Sequence, residues 1–319
     1  MNTFLTETLP GINPPVGILE SSILRTLLYF DIFHHPLTAG EIRQYLRENN
    51  VEEEQFRETL KSLQHRRLVL SGQDFYAVRQ VDLLVQKRTE GERRASKAMQ
   101  TARKYSAMMA AFPFVRGVCI SGSLSKGTMD TDADIDYFIM TEPGRLWLAR
   151  TLLVAFKKIF LLNSRKYFCV NYFITSDNLC IPDQNIFTAT ETATLIPTYN
   201  LPLYEAFLRD NEWIREYYPH FSRNNGDWCI ADKKRPVKKS LEHMLGGGFG
   251  KKLDSLCLRI TLKYWKQKFH ALDSSEFEHR LRSRKNVSKH HPQGFQDKVL
   301  NAYEVRIQKF EDQHSLSLS

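Results

Sequence analysis

The chain has 319 residues, 42% of them hydrophobic and 25% charged. This excludes a disordered, collagen-like or repeat protein and allows about two or three domains. The formal net charge of +9 lies in residues 232–319, where 19 Lys and Arg face 10 Asp and Glu, so we expect any anionic partner there. Five cysteines without a C-x-x-C pair argue against a disulfide framework or a zinc site. No signal-peptide pattern and no uninterrupted apolar span occur, which predicts a cytoplasmic protein with no membrane insertion.

Residues 1–80 show three helical patterns followed by a pair of short strands. Apolar residues recur at helical spacing over 23–33, Thr38 is placed to cap a second helix, and a third helical pattern over 51–69 leads into two apolar runs around a Ser-Gly turn. This order is typical of a winged helix. The third helix begins with consecutive glutamates, which would repel phosphates. A protein contact or scaffold role and DNA reading both stay open, but the winged helix itself does not indicate a nucleic-acid partner.

Two further domains are predicted after the winged helix. Over 81–231 the apolar runs GVCIS, YFIM and FCVNYFI alternate with helical patterns, which indicates a mixed αβ unit. The stretch from about 184 to 218 is predicted to be helical. After a basic, Pro-containing linker, residues 232–319 show two more helical patterns, so we expect a basic, all-helical third domain. The predicted fold class is therefore α/β with domains 1–80, 81–231 and 232–319.

Two aspartates, Asp134 and Asp136, stand at the head of the run YFIM. Residues two apart in a strand point to one face, so their carboxylates lie side by side and repel unless a cation intervenes. Mg²⁺ uses one or two carboxylates together with phosphate oxygens, which predicts a Mg²⁺ site, with Mn²⁺ as the other candidate. An EF-hand loop is excluded because Ile135 and Thr141 stand where it needs Gly and Glu. A solvated acidic sheet edge stays open.

A Gly-Ser pair, Gly122 and Ser123, precedes the acid pair by a connector of ten residues. The glycine allows a ligand to approach the backbone closely, and the serine adds a hydroxyl. If SLSKG begins a helix, its free N–H groups face the same anion. Lys126 is a candidate contact for a β or γ phosphate, with an ordinary exposed lysine as the alternative.

This combination resembles the signature of the nucleotidyltransferase superfamily that includes DNA polymerase β and the antibiotic nucleotidyltransferases. The matching residues are Gly122, Ser123, Asp134 and Asp136. The resemblance covers residues 114–175 and implies a mixed sheet with flanking helices. The whole order, with the winged helix first, also resembles bacterial proteins described only as nucleotidyltransferase-domain proteins, which implies no substrate. The superfamily commonly has a third carboxylate on a following strand, where this chain has Asn171, and an amide cannot accept a proton at neutral pH.

The resemblance implies a Mg²⁺-dependent enzyme in which an acceptor attacks the α-phosphorus of a nucleoside triphosphate and pyrophosphate leaves. Asp134 and Asp136 would hold the metal, ATP is the expected nucleotide, and the acceptor is unidentified. The base would be Asp136 or another acid, with Asp177 the nearest candidate. The alternative is a nucleotide-binding regulator or adaptor whose site is inert because of Asn171.

Several cations are weaker candidates for binding anions. Residues 283–292, SRKNVSKHHP, are predicted to form a basic loop, in which Lys289 and His290 are candidate anion contacts. A plain exposed loop is the alternative. Arg145 and Arg150 are candidates either for phosphate contact or for surface salt bridges.

Overall fold

The computed structural model describes residues 15–164, 166–222, 226–231, 233 and 235–318. The chain is mixed α/β and divides into two compact units. The described residues of the first unit lie within Met1–Gln86, Tyr218–His220 and Val299–Ser319, and those of the second within Lys87–Tyr217 and Phe221–Lys298. The domain boundaries expected near 80 and 231 stay predictions. In the described part of the chain, no helix has both the length and the apolarity to cross a membrane.

The described part of the first unit contains three helices that lie wholly within it, parts of two longer helices, and a three-stranded antiparallel sheet with strand order β1-β3-β2. Its elements are α1 Ile18–Asp31, β1 Leu37–Thr38, α2 Ala39–Gln44, α3 Glu53–His65, β2 Leu70–Gly72 and β3 Phe75–Ala77. The predicted cap at Thr38 is confirmed, because its hydroxyl accepts a hydrogen bond from the Glu41 N–H at 3.2 Å and Glu41 bonds back to the Thr38 N–H. Helix α3 buries one stripe, Phe56, Leu60 and Leu63.

The second unit is built on a six-stranded mixed sheet with strand order β7-β4-β5-β6-β9-β8. Strands β5 and β6 are parallel, and the other neighbours are antiparallel. The strands are β4 Val115–Ser121, β5 Asp136–Thr141, β6 Cys169–Thr175, β7 Ile196–Tyr199, β8 Ser283–Arg284 and β9 Val287–Lys289. The predicted strands β4, β5 and β6 are confirmed. Because β5 and β6 are parallel, a crossover helix has to join them.

The remaining helices lie wholly or partly in this unit. They are α4 Val81–Ala110, α5 Gly122–Ser125, α6 Leu146–Phe160, α7 Ile186–Ala193, α8 Leu201–Asp210, α9 Pro236–Met244, α10 Gly247–Lys268, α11 Ser274–Arg280 and α12 Phe295–His314, with a 3₁₀ turn at Glu212–Glu216. α4 and α12 each extend across the boundary between the two units. The main core joins residues of α4, α6 and α10 to the strands, and its largest buried side chains include Tyr137, Trp147, Phe173 and Trp265. Burial of these rings stabilises the sheet on which the acid pair stands.

Two sequence predictions about this unit are wrong. Ile196–Tyr199, expected to be helical, forms β7, an edge strand where Pro197 is tolerated because an edge residue needs no second ladder bond. Residues 283–292, expected to be a loop in an all-helical domain, contain β8 and β9. β9 pairs with β6, which satisfies its backbone groups through residues more than a hundred positions away.

Candidate functional site

The Gly-Ser turn and the acid pair meet at one end of the sheet. The register of β4 against β5 pairs Ser121 with Asp136. The next residue, Gly122, therefore lies directly beside the Asp136 carboxylate. Gly122 has φ +70°, and a Cβ on it would lie 2.6 Å from Asp136 Oδ2. Both the left-handed backbone and the close approach require glycine. Helix α5 has four residues, Gly122–Ser125, and therefore amounts to a single turn that includes Ser123.

Asp136 is a half-buried carboxylate with an unusual environment. Burial raises the pKa of Asp136 from its ordinary value of 3.8 to about 6. A hydrogen bond from the Cys169 thiol and the positive charge of Lys126 both lower the pKa of Asp136. The negative charges of Glu191 and Asp134 raise it further. Because the pKa of Cys169 is itself raised to about 12, mainly by burial, its thiol keeps its proton and donates. The charged form of Asp136 thus lacks a full counter-charge.

Asn171 contacts Asp136 directly, because β6 contains a bulge at this position. The β5–β6 register runs from Tyr137 opposite Val170 to Phe138 opposite Tyr172, which leaves Asn171 as the extra residue. Its Nδ2 donates to Asp136 Oδ1 at 2.9 Å. Bulges turn a side chain out of the regular alternation, and here the Asn171 amide donates to one carboxylate oxygen of Asp136.

Asp134 lies just before β5 and is half-buried. Among the described side chains it has no hydrogen bond or ion pair, although its charge raises the pKa of Asp136. No group of three or more His, Cys, Asp or Glu side chains in the described residues is arranged to hold a metal ion. Two carboxylates are nevertheless the usual protein share of a Mg²⁺ site. The under-neutralised Asp136 carboxylate, beside the turn at Gly122, fits a divalent cation.

Lys126 has a partner that sequence reasoning missed. Its Nζ lies 2.7 Å from Glu191 Oε1 and donates to the Gly122 carbonyl at 3.1 Å, and its side chain is 13% exposed. Glu191 belongs to α7 and brings a third carboxylate close enough to raise the pKa of Asp136. The available signal was a single acid in the otherwise uncharged stretch 186–193. Lys126 is therefore already neutralised, and a phosphate would compete with Glu191 for it.

Asp177 lies far from the acid pair. In the parallel β5–β6 pair, Asp136 is opposite Cys169 at one end and Thr141 is opposite Thr175 at the other. Asp177 follows Thr175 and is exposed. Five or more residues at about 3.3 Å each separate the two ends, which amounts to about 20 Å. Asp177 is not the base of this site.

The candidate anion contacts near 290 already have other partners. Lys289 Nζ bonds Asp183 at 3.0 Å and Gln296 at 2.9 Å and is 4% exposed. The His290 ring packs 4.7 Å from the ring of Trp265. His291, which like His290 follows the end of β9, lies instead near Tyr172, with ring centroids 6.5 Å apart. The side chains of Lys289 and His290 thus have partners other than Asp136, although the His290 backbone N–H donates to the Asn171 carbonyl at 2.9 Å.

His291 is close enough to Glu191 for that carboxylate to act on its pKa. Burial lowers the pKa of His291 to about 4, with the positive charge of Lys289 lowering it further and the negative charge of Glu191 opposing. The ring is therefore neutral near pH 7. Sequence reasoning chose the neighbouring His290 because no local pattern in the run Lys289–His291 distinguishes the two histidines.

Comparisons of this chain with models of protein families, with curated proteins and with solved structures find no match. The function is therefore argued from the geometry of the site.

Proposed function

We propose that the second unit is a Mg²⁺-dependent nucleotidyltransferase domain, with a nucleotidyltransferase-like sheet, that moves a nucleoside monophosphate from a triphosphate to an acceptor. One observation carries this proposal. Gly122 approaches Asp136 so closely that any Cβ would meet the carboxylate oxygen, and Asp134 stands two residues away. A backbone turn held against a half-buried carboxylate pair suits a ligand that combines phosphates with a divalent cation.

In this proposal the protein contributes mainly position and charge. Asp134 and Asp136 would hold Mg²⁺, or Mn²⁺, and the turn at Gly122 and Ser123 would lie along the phosphates. When bound, the metal would neutralise charge on the triphosphate. The acceptor oxygen would form a bond to the α-phosphorus as the bond to the β-phosphate oxygen breaks, and pyrophosphate would leave with that electron pair. The acceptor's proton would pass to Asp136 or Glu191.

A second candidate function is a nucleotide-binding regulator or adaptor with an inert site. The observation that favours it is the hydrogen bond from Asn171 to Asp136 Oδ1. An amide occupies the place where a third acid is expected, and it cannot take a proton. In this reading the nucleotide binds without transfer, and its binding alters a partner contact.

The first unit is proposed to be a winged helix that contacts protein. Its three helices and its sheet order β1-β3-β2 support this assignment. α3 begins with Glu53 and Glu54, and Glu53 pairs with Arg57 and Arg43, so its leading end is poorly suited to phosphates. The basic residues of 232–319 leave an anionic acceptor, including nucleic acid, open. The free cysteines among the described residues support a reducing, cytoplasmic setting.

The test incubates the purified chain with each α-labelled ribonucleoside triphosphate, Mg²⁺ or Mn²⁺, and a cell extract as the source of acceptors. The matched variant is Asp134→Ala/Asp136→Ala. A matched control is Asp132→Ala, which removes an exposed acid from the same connector. Label on an acceptor with the native chain and the Asp132 variant, but not with the double variant, would support transfer and identify the acceptor class. We expect ATP to be the preferred donor.

The other outcomes separate the two candidates. Triphosphate binding that the double variant loses, with no label on any acceptor, would favour the regulator. Absence of binding in equilibrium dialysis with Mg²⁺ would contradict both. Transfer that survives in the double variant would show that the chemistry belongs elsewhere in the preparation.

A further inference from the structure

Arg150 is a buried cation without an anionic partner among the residues that the structure describes. It lies on α6 and is 8% exposed. Its guanidinium carbon lies 4.7 Å from the ring centroid of Trp265 and 5.6 Å from that of Trp147. Its Nε is buried and has no hydrogen-bond partner. Within the described residues, no carboxylate pairs with this side chain.

Other buried cations of the second unit have at least one hydrogen-bond acceptor, although the Nε of Arg145 also lacks a partner. Arg145 donates to the carbonyl oxygens of Gly144 and Gly247. Lys238 donates to two backbone carbonyl oxygens, at 2.9 and 2.6 Å, and Lys289 pairs with a carboxylate. Arg145 and Lys238 also lie over aromatic rings, so Arg150 differs from them in that no described residue accepts a hydrogen bond from its guanidinium.

Two indole rings do not replace an anion. A cation–π contact gives a buried cation part of the attraction that it loses with water, but the ring faces accept none of the five N–H groups in the plane of the guanidinium. A buried charge without a hydrogen-bonded counter-ion is costly. Consistently, burial alone lowers the pKa of Arg150 to about 10, with no nearby charge acting on it. Arginine at such a site normally faces a carboxylate or phosphate.

We infer that Arg150, between Trp147 and Trp265, is the anchor of a binding site for a small carboxylate anion. The charge balance favours a carboxylate over a dianionic phosphate, because a single guanidinium stands alone at the site. A carboxylate also matches the planar fork of N–H groups with two parallel hydrogen bonds. The indole rings beside the fork suit an apolar body attached to that carboxylate. Because only a small fraction of the Arg150 side chain is exposed, the ligand is limited to a compact molecule.

This site is separate from the proposed nucleotide site. Asp136 shares its strand face with Phe138, which packs on Tyr172 and Phe207, whereas Trp147 and Trp265 belong to the core on the face of Tyr137. Because strand residues alternate, the two sites lie on opposite faces of the sheet. The inference therefore does not rest on the proposed nucleotidyltransferase activity.

The experiment uses the indoles as reporters, since two of the four tryptophans of the chain flank the guanidinium. The full chain is titrated with isobutyrate while its tryptophan fluorescence is followed at constant ionic strength. Isobutyramide, the neutral molecule of the same shape, inorganic phosphate and chloride serve as comparisons. The test variant is Arg150→Met, which keeps an unbranched side chain between the rings. The control is Arg259→Met, which removes an exposed arginine from α10.

We expect a saturable change with isobutyrate and none with isobutyramide or chloride. Arg150→Met should weaken isobutyrate binding about tenfold or more, which is the usual scale of a charge-assisted hydrogen-bonded pair. The Arg259 variant should bind as the native chain does. Equal responses to isobutyrate and isobutyramide, a saturable response to phosphate alone, or undiminished binding by folded Arg150→Met would each overturn the inference. Should the methionine variant not fold, Arg150→Lys keeps the charge without the fork and must also weaken binding. The native comparison of isobutyrate with isobutyramide decides the matter independently.

Discussion

Replacing Asp136 with asparagine removes a charge that the fold keeps half-buried beside Gly122. The substitution preserves the shape of the side chain and an oxygen that accepts the hydrogen bond from Asn171. In the folded native chain the pKa of Asp136 is raised to about 6 from an ordinary 3.8. A difference of about two pKa units corresponds to about 3 kcal/mol at neutral pH. Because the side chain is only half-buried, we expect Asp136→Asn to raise the free energy of unfolding by about 1–3 kcal/mol at pH 7.5 without divalent ions.

The pH dependence of this gain follows from the direction of the shift in pKa. The folded chain holds the proton of Asp136 more tightly than the unfolded chain. The stability that this proton contributes is therefore fully present below about pH 4 and is lost as the pH rises to about 6. The native and variant chains should accordingly be equally stable at pH 4 and diverge between pH 4 and 6.

Urea-induced unfolding, followed by circular dichroism from pH 4 to pH 8 in the presence of a chelator, measures this divergence. Asp177→Asn, which removes an exposed aspartate of the same unit, is the control and should show little change. Mg²⁺ added at ten times its dissociation constant should stabilise the native chain by about 1.4 kcal/mol. The same addition should leave the stability of Asp136→Asn unchanged. A variant no more stable than the native chain at pH 7.5, or a gain of equal size at pH 4, would refute the reasoning.

Three further predictions concern the same site. Gly122→Ala should destabilise the second unit by about 2–4 kcal/mol in urea unfolding because it combines φ +70° with the contact at Asp136. Gly127→Ala, at φ +72° in open space, should cost about 1 kcal/mol, and equal costs would contradict the close approach. Asn171→Asp should lower stability without metal by about 1–2 kcal/mol and enlarge the stabilisation by Mg²⁺; an unchanged response to Mg²⁺ would show that this position is outside the ion's reach. Glu191→Gln should lower the pKa of Asp136, measured by carboxyl ¹³C NMR titration, and an unmoved pKa would place Glu191 too far away to act on it.

The sequence by itself determined the elements whose signals are local. Short continuous apolar runs indicated β4, β5 and β6, and such runs are typical of strands that are buried on both faces, as these are. The cap at Thr38 was also legible, because a capping box lies within four consecutive residues. The juxtaposition of Gly122 with Asp136 was predicted as well, because the connector between β4 and β5 is short enough to bring the strand ends together.

Tertiary structure alone decided the features that depend on distant residues. Strands β7 and β9 are short, and pairing with β4 and β6 stabilises them more than their own composition does. The ion pair of Lys126 with Glu191 joins residues 65 positions apart, and no local pattern encodes such a contact. The bulge that turns Asn171 onto Asp136 exists because β6 has one more residue than β5 between paired positions of the sheet. Local patterns therefore specified which residues stand near the site, and long-range pairing specified which charges they meet there.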